Sequence, residues 1–429
     1  MKKAIVVGAG AGGATVAKEL HGSFDVTVLE AGQEFRPLGY KFKTLETWKK
    51  WGLLFDMREV QLVFPHMRVR GVGDDMVLVN GVGLGGSTTV CTGNGLRMDH
   101  DIRALGIDLD AEFEEIYREI PITTAHQDGW HVTTRRLFTI CREMGLDPQP
   151  TPKMGDYGRC AHCGRCVLGC PHGVKWDSRQ FLQVALDHGA EVMTGCDVRR
   201  VVIEGGRATG VQVRRGWRHE YYPADLVVLA AGGLGTPAIL DRSGIPCEPH
   251  LFVDPVLWVA GRSAVCAQCY EVEMPFVSQQ DHFILSPYFD FLSHLFNRSS
   301  RYAAVDTVGI MIKLADSSEG WVSRHRVEKS LTDLDRERLE RGVEISAEIL
   351  RRFGIDEGSM FLGTINGGHP GGSLPLDVAT AESFHDARLP ENVYVADATL
   401  LPQSLGNPPI LTIIALAKRV SRQCIAACA

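Results

Sequence analysis

Three glycines near the amino terminus have the spacing with which proteins hold a dinucleotide. They are Gly8, Gly10 and Gly13, and they lie between a predicted strand and a predicted helix. Gly8 permits a tight turn, Gly10 lets the backbone approach a pyrophosphate, and Gly13 lets the helix pack on the strand. Glu30 ends the next predicted strand, where a carboxylate can accept hydrogen bonds from an adenosine ribose. The pattern predicts a dinucleotide site but does not separate FAD from NAD.

Four cysteines in the middle of the chain have the spacing of metal ligands. The segment reads Cys160-x-x-Cys163-x-x-Cys166-x-x-x-Cys170-Pro171, which matches the spacing of the cluster ligands in bacterial ferredoxins. Two-residue gaps let successive thiolates of one tight loop converge on the iron atoms of a cluster. We therefore predict that these four cysteines bind a [4Fe–4S] cluster in a loop spanning residues 158–172.

The fourth ligand and the identity of the metal have alternatives in the sequence. In two-cluster ferredoxins the fourth cysteine binds the other cluster, so Cys170, Cys266 and Cys269 are all candidates for that place. Zinc competes as the metal, although structural zinc sites separate their two C-x-x-C halves more widely. A cysteine pattern that binds no metal is the third alternative.

The elements that must position these residues have the alternation of an α/β protein. Predicted strands cover residues 4–7, 26–30, 198–204, 208–213, 226–230 and 393–396. Predicted helices cover residues 12–20, 178–188, 236–242, 332–353 and 411–426. Thr332 and Asp335 form a predicted capping box, and Gly354 ends that helix. Residues 248–325 are rich in aromatic and β-forming residues, which favours a mainly antiparallel sheet.

Composition and charge exclude several classes of protein. The 45 Lys and Arg residues against 52 Asp and Glu residues give a net charge of −7, so electrostatics offers no reason to expect a nucleic-acid partner. The most apolar run, residues 410–417, is too short for a membrane span. The chain begins Met1-Lys2-Lys3 and enters the strand and glycine pattern at once, unlike a signal peptide. We expect a cytoplasmic protein, in which disulfides are a poor explanation for 12 cysteines.

Three further segments make the chain resemble the glucose–methanol–choline (GMC) oxidoreductases. They are residues 80–88 (NGVGLGGST), residues 230–237 (AAGGLGTP) continuing to 243–245, and residues 392–398 (NVYVADA) followed by Pro402 and 411–413. The segments occur in the order in which that family carries them, whereas residues 250–350 have no clear match. The resemblance implies that the dinucleotide is FAD.

The resemblance also implies the fold. We expect an α/β protein in which a Rossmann-like FAD-binding domain is interleaved with an α+β substrate domain built on an antiparallel sheet. The FAD-binding domain would comprise residues 1–98, 155–245 and 386–429, and the substrate domain residues 99–154 and 246–385.

The same resemblance implies roles for residues at the cofactor. Gly8, Gly10, Gly13 and Glu30 would hold the ADP half of FAD, and Gly85, Gly86 and Ser87 would lie near the pyrophosphate and the isoalloxazine. Val198 would contact adenine through its backbone, and Asp397 would bond the ribityl or phosphate region. His369, in the segment GHPGG, matches the family's catalytic histidine. It would take the proton of a substrate hydroxyl while the carbon-bound hydride moves to the flavin.

One position departs from the family pattern. The family places Asn or His eleven residues after the aspartate that is Asp397 here, but this chain has Pro408, with Asn407 one position early. Both residues are expected beside the cofactor. Because proline has no donor and no proton-transfer group, His369 acts alone or another residue completes the pair. Cys91 stands where many members have Asn, as a buried apolar cysteine or as a redox thiol.

The combination of a flavin and a cluster indicates how electrons would leave the protein. Flavin accepts a hydride as two electrons and a cluster passes one at a time, which favours a dehydrogenase over an oxygen-consuming oxidase. We expect an alcohol as substrate and a ferredoxin-like carrier or partner subunit as electron acceptor. Two alternatives remain: reduction of a carbonyl or activated C=C by reduced ferredoxin, and a non-catalytic electron-transfer subunit of a larger complex.

Overall fold

The computed structural model describes residues 1–54, 56–73, 76–264 and 266–428. The helices are α1 (Ala11–Leu20), α2 (Phe42–Lys50), α3 (Val60–Val63), α4 (His100–Ala104), α5 (Asp110–Glu119), α6 (Val132–Glu143), α7 (Arg179–Asp187), α8 (Gly232–Arg242), α9 (Phe291–Phe296), α10 (Asp333–Phe353) and α11 (Ile410–Cys428). Over these described ranges, every helix is too short or too polar to cross a bilayer.

The strands fall mainly into two large sheets. They are β1 (Lys2–Val7), β2 (Phe24–Leu29), β3 (Met67–Val72), β4 (Met76–Gly81), β5 (Ile122–Thr123), β6 (Gln149–Pro150), β7 (Lys153–Met154), β8 (Glu191–Met193), β9 (Asp197–Glu204), β10 (Arg207–Arg215), β11 (Arg218–Pro223), β12 (Leu226–Leu229), β13 (Pro255–Arg262), β14 (Phe276–Gln279), β15 (Phe283–Pro287), β16 (Thr307–Leu314), β17 (Gly320–Val322), β18 (Val327–Lys329), β19 (Phe361–Leu362), β20 (Ile365–Gly367) and β21 (Val393–Val395). Strands β9, β10 and β11 form a separate antiparallel meander.

The first sheet is parallel, with the strand order β21-β12-β1-β2-β8. Its central strands are apolar and buried on both faces, as a parallel sheet covered by helices requires. The chain runs from β1 through α1 to β2 on one side and later returns to β12 on the other. The strand order therefore reverses at β1, and a crevice opens there at the carboxyl ends of the strands, where such sheets bind ligands.

The C-terminal helix completes this half of the molecule. Helix α11 packs on α1, and the buried ammonium of Lys418 on α11 pairs with Glu19 at 2.7 Å and Glu119 at 3.0 Å. Gly12 on α1 lies against the segment after β21, because a Cβ at Gly12 would stand 1.7 Å from the Ala396 carbonyl oxygen. The amino-terminal and C-terminal segments thus form one packed unit.

The second sheet has nine strands and is antiparallel except where β20 pairs with β4. Its centre is the β13–β16 pair, in which Val256 lies opposite Lys313. Helix α10 covers this sheet with an apolar face that includes Leu339 and Leu350. The antiparallel sheet and the parallel sheet together confirm the predicted α/β fold class.

Helix ends agree with the sequence analysis where the signal is local. Helix α10 has the capping box of Thr332 and Asp335 and ends at Gly354, whose φ is +94°. Helix α8 is different, since it begins at Gly232, four residues before the predicted start. The Asp397 carboxylate accepts hydrogen bonds from the Gly232 N–H at 2.8 Å and the Thr236 hydroxyl at 2.6 Å. A cap supplied from so far along the chain is invisible to a local pattern.

The predicted division into domains remains a prediction. Residues 102–120 were assigned by sequence to the substrate domain, but their apolar side chains share the core of the five-stranded sheet. Strands β3 and β4 were assigned to the FAD-binding domain, and they pair at the edge of the nine-stranded sheet.

Candidate active site

A cavity of about 790 Å³ lies at the crevice of the parallel sheet and continues onto the nine-stranded sheet. Most of the residues predicted to bind the cofactor line it, as does the predicted base. They are Gly8, Gly10, Glu30, Gly86, Ser87, Val198, His369, Asp397 and Pro408. We call this space the cofactor cavity.

Two glycine-rich loops meet at the floor of the cofactor cavity. Gly8 has φ +98°, and a Cβ there would stand 2.4 Å from the Ala230 carbonyl oxygen. A Cβ on Gly86 would lie 2.9 Å from the Gly10 Cα, so the loops approach each other only without side chains. Gly13 lies outside the lining, and a Cβ there would stand 1.9 Å from the Gly8 carbonyl oxygen, so only glycine lets α1 pack this closely on the turn. This is the packing role predicted for Gly13.

The start of α1 suits a bound anion. Within the described chain, no side chain caps this helix and no acidic residue lies in its first turn. The first backbone N–H groups of a helix have no partner inside it, and the helix dipole makes this end positive. The glycine cradle and the uncapped amides therefore fit the pyrophosphate of FAD.

Glu30 joins the loops around the cavity. Its carboxylate accepts hydrogen bonds from the N–H groups of Ala9 at 2.9 Å, Gly32 at 2.8 Å and Gly83 at 3.2 Å. Burial raises the pKa of Glu30, and these three hydrogen bonds oppose the rise. Glu30 thus orders the loops, while its predicted contact with ribose stays a prediction.

Two other predicted residues lie outside the lining of the cofactor cavity. The Gly85 N–H donates to the Ala9 carbonyl at 3.0 Å, which holds the second glycine loop against the first. Asn407 is buried, and its amide donates to the Gln279 side chain at 3.1 Å. Of Asn407 and Pro408, only Pro408 lines the cofactor cavity.

His369 is held by a buried carboxylate that the sequence analysis did not identify. Its Nδ1 lies 3.0 Å from Oδ2 of Asp254, which also forms an ion pair with Lys313. Burial alone would raise the pKa of Asp254, but Lys313 and His369 outweigh burial and lower it to about 2. Burial and then the charge of Lys313 lower the pKa of His369, against the opposing effect of Asp254.

This arrangement defines which imidazole nitrogen can accept a proton. An ionised carboxylate only accepts hydrogen bonds, so the hydrogen between the two groups belongs to Nδ1 of His369. Nε2 is then the basic nitrogen, and an imidazole with a lowered pKa is neutral near pH 7. A proton taken up at Nε2 would be stabilised by the Asp254 carboxylate.

Backbone pairing explains how residues so distant in sequence meet. Asp254 precedes β13 with φ +50°, and the β13–β16 register places Lys313 opposite Val256. The Asp254 N–H donates to the Asp316 carboxylate at 2.9 Å. A lone Asp and a lone Lys with no motif around them give no signal in the sequence.

Removal of the Lys313 charge should change the pH dependence of turnover. A base with a lowered pKa is active above that pKa, so kcat/KM falls as the pH drops through it. In Lys313→Met, the protonated imidazole of His369 no longer lies near a cation and still pairs with the Asp254 carboxylate, so the pKa of His369 rises. We expect the acid limb of kcat/KM to move to higher pH by about one unit.

The matched control is Lys418→Met, which removes an equally buried ammonium from α11. That variant should retain the wild-type pH profile. An acid limb that moves to lower pH in Lys313→Met would contradict the assigned electrostatics.

The four predicted metal ligands line one small cavity beside the cofactor cavity. Cys160, Cys163, Cys166 and Cys170 are free, partly exposed thiols around it, and we call it the four-cysteine cavity. Burial and, to a smaller extent, the neighbouring thiols raise the pKa values of Cys160 and Cys163. Among the described residues, no group of three or more His, Cys, Asp and Glu side chains has the arrangement to hold a metal ion.

The alternative fourth ligands stand outside the lining of this cavity, although the Cys269 backbone packs against Gly164 of the cysteine loop. Cys266 and Cys269 are both buried, and neither contributes to the described lining of the four-cysteine cavity. The Cys266 thiol donates to the Ser263 carbonyl at 3.3 Å. Burial raises the pKa of Cys269 to about 12. Cys170 is therefore the better candidate for the fourth position.

The two cavities share a wall. Cys166 lines the four-cysteine cavity, and the next residue, Val167, lines the cofactor cavity. Cys91 lines the cofactor cavity, where its thiol donates to the Thr88 carbonyl at 3.1 Å. The segment that contains Thr88 and Cys91 is thus adjacent to the cysteine loop.

The crevice at a reversed strand order, the glycine cradle and the histidine held by a buried carboxylate are the features expected of a dinucleotide-dependent oxidoreductase. The sequence profile of the GMC oxidoreductases matches residues 2–257, more than half of the chain. The chain belongs to the GMC oxidoreductase family.

Similar proteins extend over the whole chain. An uncharacterized protein of Methanocaldococcus jannaschii is 28% identical over 425 residues, which cover 97% of this chain and 98% of that protein. A long-chain-alcohol oxidase of Arabidopsis thaliana is 22% identical over a match that covers 98% of this chain but only 66% of the oxidase. The chain is thus shorter than that relative.

The solved structures agree on the fold. Formate oxidase of Aspergillus oryzae RIB40, a protein studied for the modification of its FAD, superposes with a TM-score of 0.73 at 14% identity, covering 99% of this chain and 98% of that one. Membership in this family makes the protein an FAD-dependent oxidoreductase acting on CH–OH groups.

Proposed function

We propose that this protein is an FAD-dependent dehydrogenase that oxidises a small-molecule alcohol and passes the electrons to a [4Fe–4S] cluster. The cluster would be bound by Cys160, Cys163, Cys166 and Cys170 and would serve a ferredoxin-like carrier or partner subunit. The observation that carries the proposal is the shared wall: one cavity holds the His369–Asp254 pair, and the adjoining cavity is lined by the four thiols.

The FAD side of the proposal rests on the lining of the cofactor cavity. The backbone of Gly8, Gly10 and Gly86 would hold the pyrophosphate, Glu30 and Val198 the adenosine, and Ser87 and Asp397 the middle of the cofactor. When bound, FAD supplies the acceptor for the hydride that leaves the alcohol carbon.

The chain's own residues supply the proton chemistry. Nε2 of His369 accepts the proton of the substrate hydroxyl, and the product is a carbonyl compound. Asp254 stabilises the resulting imidazolium, and Lys313 keeps the imidazole neutral before the reaction. In this proposal Asp254 and Lys313 complete the site in place of the Asn or His that Pro408 replaces.

The cluster side rests on the donor set. Four free thiols with ferredoxin spacing surround one cavity, and soft thiolate ligands select iron–sulfur clusters and zinc. Binding of a cluster would require the four sulfur atoms to converge on it, as the spacing of the cysteines allows. A one-electron centre beside a two-electron cofactor favours a dehydrogenase.

The decisive experiment is anaerobic analysis of protein made in cells that build iron–sulfur clusters. We expect about four irons, four sulfides and one flavin per chain, and bleaching of the flavin band when alcohols are added. Flavin without iron would disprove the cluster. Iron and flavin that no alcohol reduces, together with re-oxidation of reduced flavin by a ketone or an enone, would favour the reverse reaction.

The reverse reaction is the second candidate because of two residues at the cavity. Pro408 removes the usual partner of the histidine, and Lys313, paired with Asp254, brings a positive charge to the lining of the cavity. In that direction reduced ferredoxin would donate electrons through the cluster, and the flavin would reduce a carbonyl or an activated C=C.

A further inference from the structure

Five lysines of the described chain are almost completely buried, and they divide into two kinds. Lys313 pairs with Asp254, Lys329 with Asp316 at 2.8 Å, and Lys418 with three glutamates. Lys153 and Lys175 are exposed by only 0% and 4%. Over the described residues, neither of these two has a carboxylate oxygen within 4.0 Å. Both lie beside the four-cysteine cavity.

Lys175 connects the two cavities. Its ammonium donates to the backbone carbonyls of Thr88 at 3.1 Å, Thr89 at 2.8 Å and Cys91 at 2.8 Å, on the loop that lines the cofactor cavity. The same ammonium donates to the Cys166 carbonyl at 3.0 Å, on the cysteine loop. It also lines the four-cysteine cavity itself.

Lys153 bonds the segment that follows Cys91 and the backbone at Glu273. Its ammonium donates to the backbone carbonyls of Thr92 at 3.2 Å and Glu273 at 2.6 Å and to the side chain of Asn94. Burial lowers the pKa of Lys153 to about 8, and the electrostatic effects of Cys166 and Glu273 oppose this. None of its hydrogen-bond acceptors belongs to residues 158–172.

Two buried ammonium groups need a negative charge, and the oxygen atoms that accept their described hydrogen bonds are neutral. Neutral carbonyl oxygens satisfy the hydrogen bonds but leave the charge uncompensated, which is costly in a low-dielectric interior. The thiols of Cys160, Cys163, Cys166 and Cys170 line the cavity beside these ammonium groups, and cysteine becomes an anionic thiolate when it binds a metal.

We propose that Lys153 and Lys175 are the counter-cations of an anionic metal–sulfur group held by the four cysteines, and that their charges raise its reduction potential. The inference rests on the proposed function and adds the residues that tune the cluster. A thiolate-bound iron–sulfur cluster carries net negative charge and becomes more negative on reduction. Nearby cations therefore stabilise the reduced form more than the oxidised form.

Lys175 has a second consequence for electron transfer. Because one ammonium bonds carbonyls of both loops, it fixes the spacing between the cluster loop and the loop that lines the cofactor cavity. The same group lies 3.8 Å from the Cys91 thiol, on the cofactor side of the wall. Lys175 is thus a positioning residue as well as a charge.

The test is a redox titration of reconstituted protein, followed by electron paramagnetic resonance of the cluster. Lys175→Met and Lys153→Met should each lower the ratio of reduced to oxidised cluster at a fixed potential about tenfold, which is ~59 mV for one electron. Lys418→Met removes a buried ammonium that is paired with glutamates on α1 and α5 and should leave the ratio unchanged.

The outcomes separate this inference from the proposed function. Iron-loaded Lys175→Met and Lys153→Met with the wild-type potential would overturn the counter-cation role and leave the cluster in place. Wild-type protein that holds no iron would overturn both. If Lys175→Met cannot be loaded, Lys153→Met decides by its potential, since Lys153 does not bond the cysteine loop. Failure of both to retain iron, with flavin retained and Lys418→Met loaded normally, would support the inference.

Discussion

His369→Ala should lose about 10²–10⁴-fold in kcat while retaining FAD. The imidazole is the only group at the Asp254–Lys313 pair that can take a hydroxyl proton while neutral, among the residues described around the cavity. The ion pair of Asp254 with Lys313 remains in the variant, so no buried charge is left alone and the fold should persist. Steady-state kinetics with saturating alcohol measure the loss.

A matched variant shows whether the loss belongs to the site. His385→Ala removes an imidazole that bonds the Pro390 carbonyl at 3.1 Å, outside the lining of the cofactor cavity. It should turn over at the wild-type rate. If His369→Ala kept full kcat at saturating substrate, the histidine would not be the base, although the dehydrogenase assignment would survive.

Cys166→Ser should reduce the iron content from about four atoms per chain to nearly none, with flavin retained. A serine hydroxyl is a hard, weakly acidic ligand, whereas iron–sulfur clusters require soft thiolates. Cys166 lines the four-cysteine cavity, and the next residue, Val167, lines the cofactor cavity. Colorimetric iron and the loss of the broad visible absorption of the cluster report the result.

Two further cysteine variants make the iron assay specific. Cys141→Ser changes a buried thiol in the core under α10 and should keep its iron. Cys269→Ser distinguishes the fourth ligand, because it should keep the cluster if Cys170 completes the set. Unchanged iron in Cys166→Ser would rule out this loop as the cluster site.

The structural features that the sequence predicts best are local ones. The turn at Gly8, the packing of α1 through Gly13 and the cap of Thr332 on α10 each depend on residues within a few positions of one another. Steric limits at a glycine and a capping hydrogen bond act over that short range, so the sequence alone predicts them.

The residues that sequence could not predict are joined by pairing over long distances. Asp254 and Lys313 meet His369 only because β13 and β16 adopt one particular register. The role of Lys175 depends on its hydrogen bonds to carbonyls of a loop that lies more than eighty residues earlier in the chain. A single buried Lys or Asp has the same local sequence signal whether it supports a site or a core.

Helix α1 packs on α11, and Gly12 lies against the Ala396 carbonyl. These contacts affect when the protein can bind flavin during its synthesis. The nucleotide-binding turn is translated before the segments that pack against it, and residues of the later segments line the cofactor cavity. We therefore expect nascent chains to retain flavin only after residues 410–428 have left the ribosome. Ribosome-bound chains stalled before residue 393 should be colourless and readily cleaved by protease.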